Sequence, residues 1–198
     1  MDTNREHTNL QQHIEIRFVS NNEFKIAEAR TILGVRSISV LESRIKIEEL
    51  QTTDTPRLVR DKLLKAYREI GRPLFVEHTG LYLEHLAGLP GGLTQIFWDT
   101  LKADRFAELF GKLSPNKKAA ARTAIGYCDG RRIYEFDGAI EGQITVAPRG
   151  SRDFQWDCVF QPDGHSETFA EIGDKKNEIS MRRIAMEKLA AHLTRDLS

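Results

Sequence analysis

Cysteine is nearly absent from this chain: Cys128 and Cys158 are the two thiols in 198 residues. They are too few for a disulfide framework and share no metal-ligand spacing, which predicts a reduced, cytoplasmic setting. There is no excess of either charge, since Lys+Arg and Asp+Glu each number 29. That balance argues against a general nucleic-acid or membrane-surface binder. No apolar run approaches the roughly 20 residues of a membrane helix. Residues 1–13 are polar, lack the apolar stretch of a signal peptide and read as an N-terminal tail, with one domain over 14–198. Internal repeats and low-complexity linkers are also missing. His7, His13, His85, His165 and His192 show no ligand spacing, and Lys117-Lys118 reads as a solvated turn.

What is present is ordinary globular composition, 40% hydrophobic and 29% charged, enough for one domain or two closely joined lobes. Residues 14–19 alternate and predict a strand, followed by the turn and cap cluster Ser20-Asn21-Asn22 and a helix stopping at Gly34. Residues 38–50 predict one or two strands. Thr55-Pro56 reads as an N-cap with proline at the first helical position, and the helix runs to Gly71. Leu74-Phe75-Val76 predicts a short buried strand, 94–111 helix, Asp129-Gly130 a hairpin, 142–147 a strand and 180–194 a closing helix. Strands alternate with helices early and pair as hairpins later, which predicts a mixed sheet with helices on its faces.

Four segments carry the chemistry. They are Ser20-Asn21-Asn22-Glu23-Phe24-Lys25; Glu49-Leu50-Gln51; Glu77-His78-Thr79-Gly80-Leu81 with Gly88-Leu89-Pro90-Gly91; and a stretch from Pro148 to Arg182. The last contains Phe154-Gln155-Trp156-Asp157 and Lys176-Asn177-Glu178-Ile179-Ser180-Met181-Arg182. In order and spacing, over about residues 14–193, these segments resemble the inosine triphosphate pyrophosphatase family, the noncanonical purine nucleoside triphosphate pyrophosphatases. The resemblance implies an α/β fold, a two-lobed mixed β-sheet with flanking helices, a nucleotide cleft between the lobes, and a homodimer.

It also implies roles. Asn22 and Lys25 would bind phosphate where a strand enters a helix, since free amides and a lysine favour anions there. Glu49 and Glu77 would ligate Mg²⁺, which prefers hard oxygen donors. Phe154, Trp156 and Asp157 would hold the purine, and Lys176, Met181 and Arg182 would complete the phosphate- and base-binding set. Arg182 only donates, which favours a keto oxygen over adenine's amino group. Four positions depart from the family pattern. His78 replaces its catalytic aspartate, Gln155 a glycine, Cys158 a proline and Met181 a histidine. Imidazole is a poor ligand for Mg²⁺ and a better one for Mn²⁺, and it can act as a general base.

The expected function is therefore binding of an ITP-, dITP- or XTP-type nucleotide with impaired hydrolysis, with Glu77 and His78 at the catalytic position. Such a chain would act as a sensor or regulatory subunit, read by an effector protein in a stress or antiviral pathway. The alternative is a working pyrophosphatase that releases monophosphate and pyrophosphate, using Mg²⁺ or Mn²⁺ with His78 as the base. A third reading, a relic pocket on an interaction protein, is opposed by survival of Asn22, Lys25, Asp157, Lys176 and Arg182.

Overall fold

The computed structural model describes residues 13–195, so all but the last residue of the polar tail lies outside it. Six strands form one mixed sheet in the order β2-β1-β3-β4-β5-β6. β1 (Ile14–Val19) is parallel to both β2 (Ile38–Ser43) and β3 (Leu74–Leu83). β4 (Lys118–Cys128), β5 (Ile133–Ile144) and β6 (Phe160–Pro162) continue it antiparallel. The helices are α1 (Glu23–Gly34), α2 (Thr55–Ile70), α3 (Thr94–Ala107), the single turn α4 (Phe169–Ile172) and α5 (Met181–Thr194). The predicted α/β class and mixed sheet with flanking helices are what the structure has.

Successive residues of a strand face opposite sides of a sheet, and β3 shows the consequence. Phe75 packs with Phe18 of β1, Ile26 and Leu33 of α1, and Met186 and Leu189 of α5. Leu74 and Val76 pack on the other side with Leu58, Leu63 and Ala66 of α2. Nine of the ten residues of β3 are buried, as expected of a strand covered on both faces. A third cluster forms the second lobe, with Leu81, Trp98, Phe106, Ile144, Trp156, Phe160 and Phe169. Among the described residues no helix is long and apolar enough to cross a membrane.

Several boundaries differ from expectation for local reasons. The α2 cap is Asp54, whose carboxylate accepts from Arg57 N at 3.0 Å, because the Thr55 hydroxyl is engaged 2.6 Å from Tyr82 OH. The predicted short strand at 74–76 extends to Leu83, since β4 pairs with it along its whole length. That puts Glu77 and His78 in mid-strand instead of at a strand end. Residues 38–50 hold a single strand, and the segment after Ser43, with Glu49 on it, is irregular. The strand expected at 142–147 is the end of β5, which stops at Ile144; Thr145 then turns, its hydroxyl donating to Ala147 O at 2.8 Å.

Candidate functional site

The outer half of the cleft is a cavity of about 320 Å³ lined by Asn22, Lys25, Glu49, Lys62, His78 and Gln155, among others. β1 delivers the chain to the N-terminus of α1, where Asn22 Oδ1 accepts from Lys25 N at 3.1 Å. The remaining first-turn amides and the helix dipole favour an anion in front of them. Lys62, on α2, donates from Nζ to Glu49 Oε1 at 2.5 Å and to Glu77 O at 3.2 Å. Burial works against the Glu49 carboxylate, but Lys62 outweighs it and holds the group below the usual range. His78 Nδ1 lies 3.8 Å from Glu49 Oε2, and its Nε2 is buried with no hydrogen-bond partner among the described residues. Burial first, and then Lys25, push the imidazole down to about 4, so it is neutral at physiological pH.

Behind that cavity lies a buried ionic chain. Arg182 is 2% exposed and grips Glu77 as a fork, Nε to Oε2 at 2.7 Å and Nη2 to Oε1 at 3.0 Å, while Nη1 donates to Glu28. Glu77 also accepts from Thr79 Oγ1 at 2.6 Å and pairs with Lys25 Nζ at 3.1 Å. Glu28 pairs with Lys176 Nζ at 2.6 Å, and Lys176 continues to Asp157. Cations and anions alternate as Lys25–Glu77–Arg182–Glu28–Lys176–Asp157, so the burial cost of each charge is offset by opposite charge on its neighbours. Burial disfavours the Glu77 carboxylate, yet Arg182 and Lys25 hold it well below the usual range. Burial likewise opposes the Arg182 guanidinium, and Glu77 and Glu28 override it and push the group up. Asp157 is pushed up to about 6 by burial, against the pull of Lys176.

The inner half is a second cavity, about 340 Å³, with Phe24, Glu28, Phe154, Asp157 and Lys176 on its walls. The Phe154 ring stacks on Phe24, centroids 5.0 Å apart, and Lys176 Nζ sits 4.1 Å from its centroid. Gln155 holds φ +44°, a conformation that favours glycine, and its Nε2 donates to Gln95 Oε1 at 2.5 Å.

The cleft thus gathers Asn22, Lys25, Glu49, His78, Phe154, Asp157 and Lys176. It does not gather the other expected site residues. Trp156, 2% exposed, is a core residue against Phe160, and Met181, 3% exposed, packs in the same cluster; neither lines the two cavities. Arg182, expected to read the base edge, stands behind the cavity walls with its donors on Glu77 and Glu28. Glu77, expected as a metal ligand, has no exposed side-chain surface, because Arg182, Lys25 and Thr79 surround it. Among the described residues no group of three or more His, Cys, Asp or Glu side chains could hold a metal ion. Glu49 and His78 alone are a poor donor set for a hard divalent cation.

Sequence reasoning missed Glu28, Lys62 and Phe24. Glu28 lies three residues after Lys25 on α1, so the helical period could have flagged it. Nothing in the spacing connects Lys62 with Glu49.

The chain belongs to the Ham1 family, whose model matches residues 16–192. It is similar to the dITP/XTP pyrophosphatase of Methanopyrus kandleri, 33% identical over 89% of this chain and 95% of the relative. It is also similar to the inosine triphosphate pyrophosphatase of Yarrowia lipolytica, 34% identical over 91% of this chain and 96% of that one. A HAM1 protein from Coxiella burnetii has the same fold, with a TM-score of 0.72, 24% identity, and coverage of 92% of this chain and 99% of the other.

Proposed function

We propose that the cleft binds a noncanonical purine nucleoside triphosphate, of the inosine or xanthine type, and hydrolyses it poorly. One observation carries this reading: a cavity lined by Asn22, Lys25, Lys62, Gln155 and a neutral His78 and a cavity lined by Phe24, Phe154, Asp157 and Lys176 have walls that are chain neighbours at Phe24-Lys25 and Phe154-Gln155. Lysines and helix amides suit the phosphates, while the Phe154 ring suits a base. The printed names of the relatives support the substrate class. Arg182 and Glu77 act in this reading as positioning groups, fixing Lys25 and Lys176 through the ionic chain.

Weak turnover follows from His78. A base works best with a pKa near the operating pH, and this imidazole sits at about 4. The observation favouring a working pyrophosphatase is the unpartnered Nε2, which has a lone pair or proton to offer a water. Retention of the pocket with weakened turnover supports a sensor or regulatory subunit read by an effector protein, and the antiviral setting rests on that reasoning alone. The cytoplasmic setting rests on the scarcity of cysteine, and the homodimer on the family resemblance; light scattering of the purified chain tests the latter.

The main test is incubation with ITP, dITP, XTP and ATP, following both binding and pyrophosphate release with Mg²⁺ or Mn²⁺. Binding of the first three without rapid release is the expected result. Fast release at neutral pH would rule out impaired hydrolysis, and failure to bind any of them would rule out the nucleotide reading.

A further inference from the structure

We propose that this cleft takes its triphosphate without a divalent metal ion, the Lys62 ammonium standing on Glu49 as a tethered cation where an ion would otherwise sit. The inference rests on the nucleotide reading above and specifies how the phosphates are held.

The donor set leads there. Glu49 is the one carboxylate among the residues lining the outer cavity. One of its oxygens is taken by Lys62 Nζ at 2.5 Å, and the other faces the His78 imidazole at 3.8 Å. The Lys62 position is built: its side chain is 13% exposed and its Nζ is also tied to the β3 backbone through Glu77 O. A metal ion on Glu49 Oε1 would have to displace this cation, and one on Oε2 would sit beside the ammonium with the imidazole as its neighbour. The next carboxylate, Glu77, points to the other face of β3 and is clamped by Arg182, Lys25 and Thr79. Position 78 contributes a nitrogen, whereas Mg²⁺ selects oxygen.

What faces the cavity suits an anion directly. Lys25 and Lys62 line it together with the N-terminus of the 12-residue helix α1. His78, 6% exposed, lines it with an unpartnered Nε2, a buried polar atom for which a ligand is the natural partner. Lysine binds phosphate as a point charge, and Lys25 and Lys62, each held in place by a carboxylate, set two ammonium groups beside the helix amides at the cavity wall.

The test is calorimetric titration of the full chain with the α,β-imido analogue of inosine triphosphate, in excess EDTA and again in millimolar Mg²⁺. The expected Kd is the same in both within about twofold, and affinity weaker by about tenfold or more in EDTA, equivalent to about 1.4 kcal/mol, would overturn the proposal. Loss of a charge-assisted hydrogen bond predicts that Lys62→Met weakens binding in EDTA by about tenfold or more; unchanged affinity in this variant, with its circular dichroism intact, also overturns it. Mn²⁺ alone, followed by its paramagnetic resonance signal, should stay free with the wild-type chain and be captured by His78→Asp; capture by the wild type at submillimolar concentration overturns the proposal. Binding that requires Mg²⁺ defeats this inference alone, whereas no binding under either condition defeats the nucleotide reading as well.

Discussion

Glu77 and His78 are neighbours on one strand, yet they belong to different regions of the molecule. Glu77 faces the side of the sheet covered by α1 and α5, where Arg182, Lys25 and Thr79 satisfy it. His78 faces the α2 side, where its ring has Glu49 at 3.8 Å and one nitrogen without a partner. The first region is a closed ionic chain through the core; the second is the largely buried rim of the outer cavity. The contrast shows why position 78 can change character while the fold persists. A charge in the chain is tied by direct contacts into a row of six, whereas the imidazole makes, among the described residues, no ion pair or hydrogen bond shorter than its 3.8 Å approach to Glu49.

Breaking the buried side should produce the largest effect. Arg182→Met leaves Glu77 and Glu28 buried without their shared cation, which costs about 3–5 kcal/mol; urea denaturation measures it, and a loss below about 1 kcal/mol would mean the chain is not closed as described. At the rim, His78→Asp places a second carboxylate beside Glu49 and should raise Mg²⁺-dependent pyrophosphate release by about a hundredfold, the low end of general-base catalysis. An unchanged rate would show that position 78 is not the missing group. In the inner cavity, Phe154→Ala should weaken inosine triphosphate binding by about 1–3 kcal/mol through lost stacking. Equal affinity in wild type and variant would place the base elsewhere.

The smallest effect concerns pH. Unfolded His78 takes up a proton near 6.5 and the folded group only near about 4, so this residue lowers stability as pH falls through that window. Asp157, pushed up to about 6 from 3.8, takes up its proton in the folded state first and raises stability over nearly the same window. The two contributions oppose each other and leave a net change in stability under about 1 kcal/mol across the window from this pair. Ring nitrogen shifts should show His78 neutral at pH 5.5, and a protonated ring there would show that the rim is wetter than its burial indicates.

Local signals in the sequence located a good part of this site. Asn22 before α1 and the Asp129-Gly130 turn each have a neighbour within a few residues that makes the conformation, and both sit as predicted, while the closing helix begins one residue later than expected, capped by Ser180. Phe154, Asp157 and Lys176 were legible as a group through the family resemblance. Other positions depended on distant partners. Residue type alone could not tell Phe154, in the cavity wall, from Trp156, two positions on and in the core. Lys62 reaches Glu49 only because α2 packs across the face of β3.

By itself, then, the sequence determined the α/β class, the order of the main elements and the anion-favouring turn at Asn22, because caps, turns and periodicities are local interactions. Only the tertiary structure decided that Arg182 clamps Glu77, that Lys62 holds Glu49, and that Met181 is core. Arg182 and Glu77 are separated by 105 residues, and a buried carboxylate takes whichever cation the fold brings beside it, which no local pattern encodes.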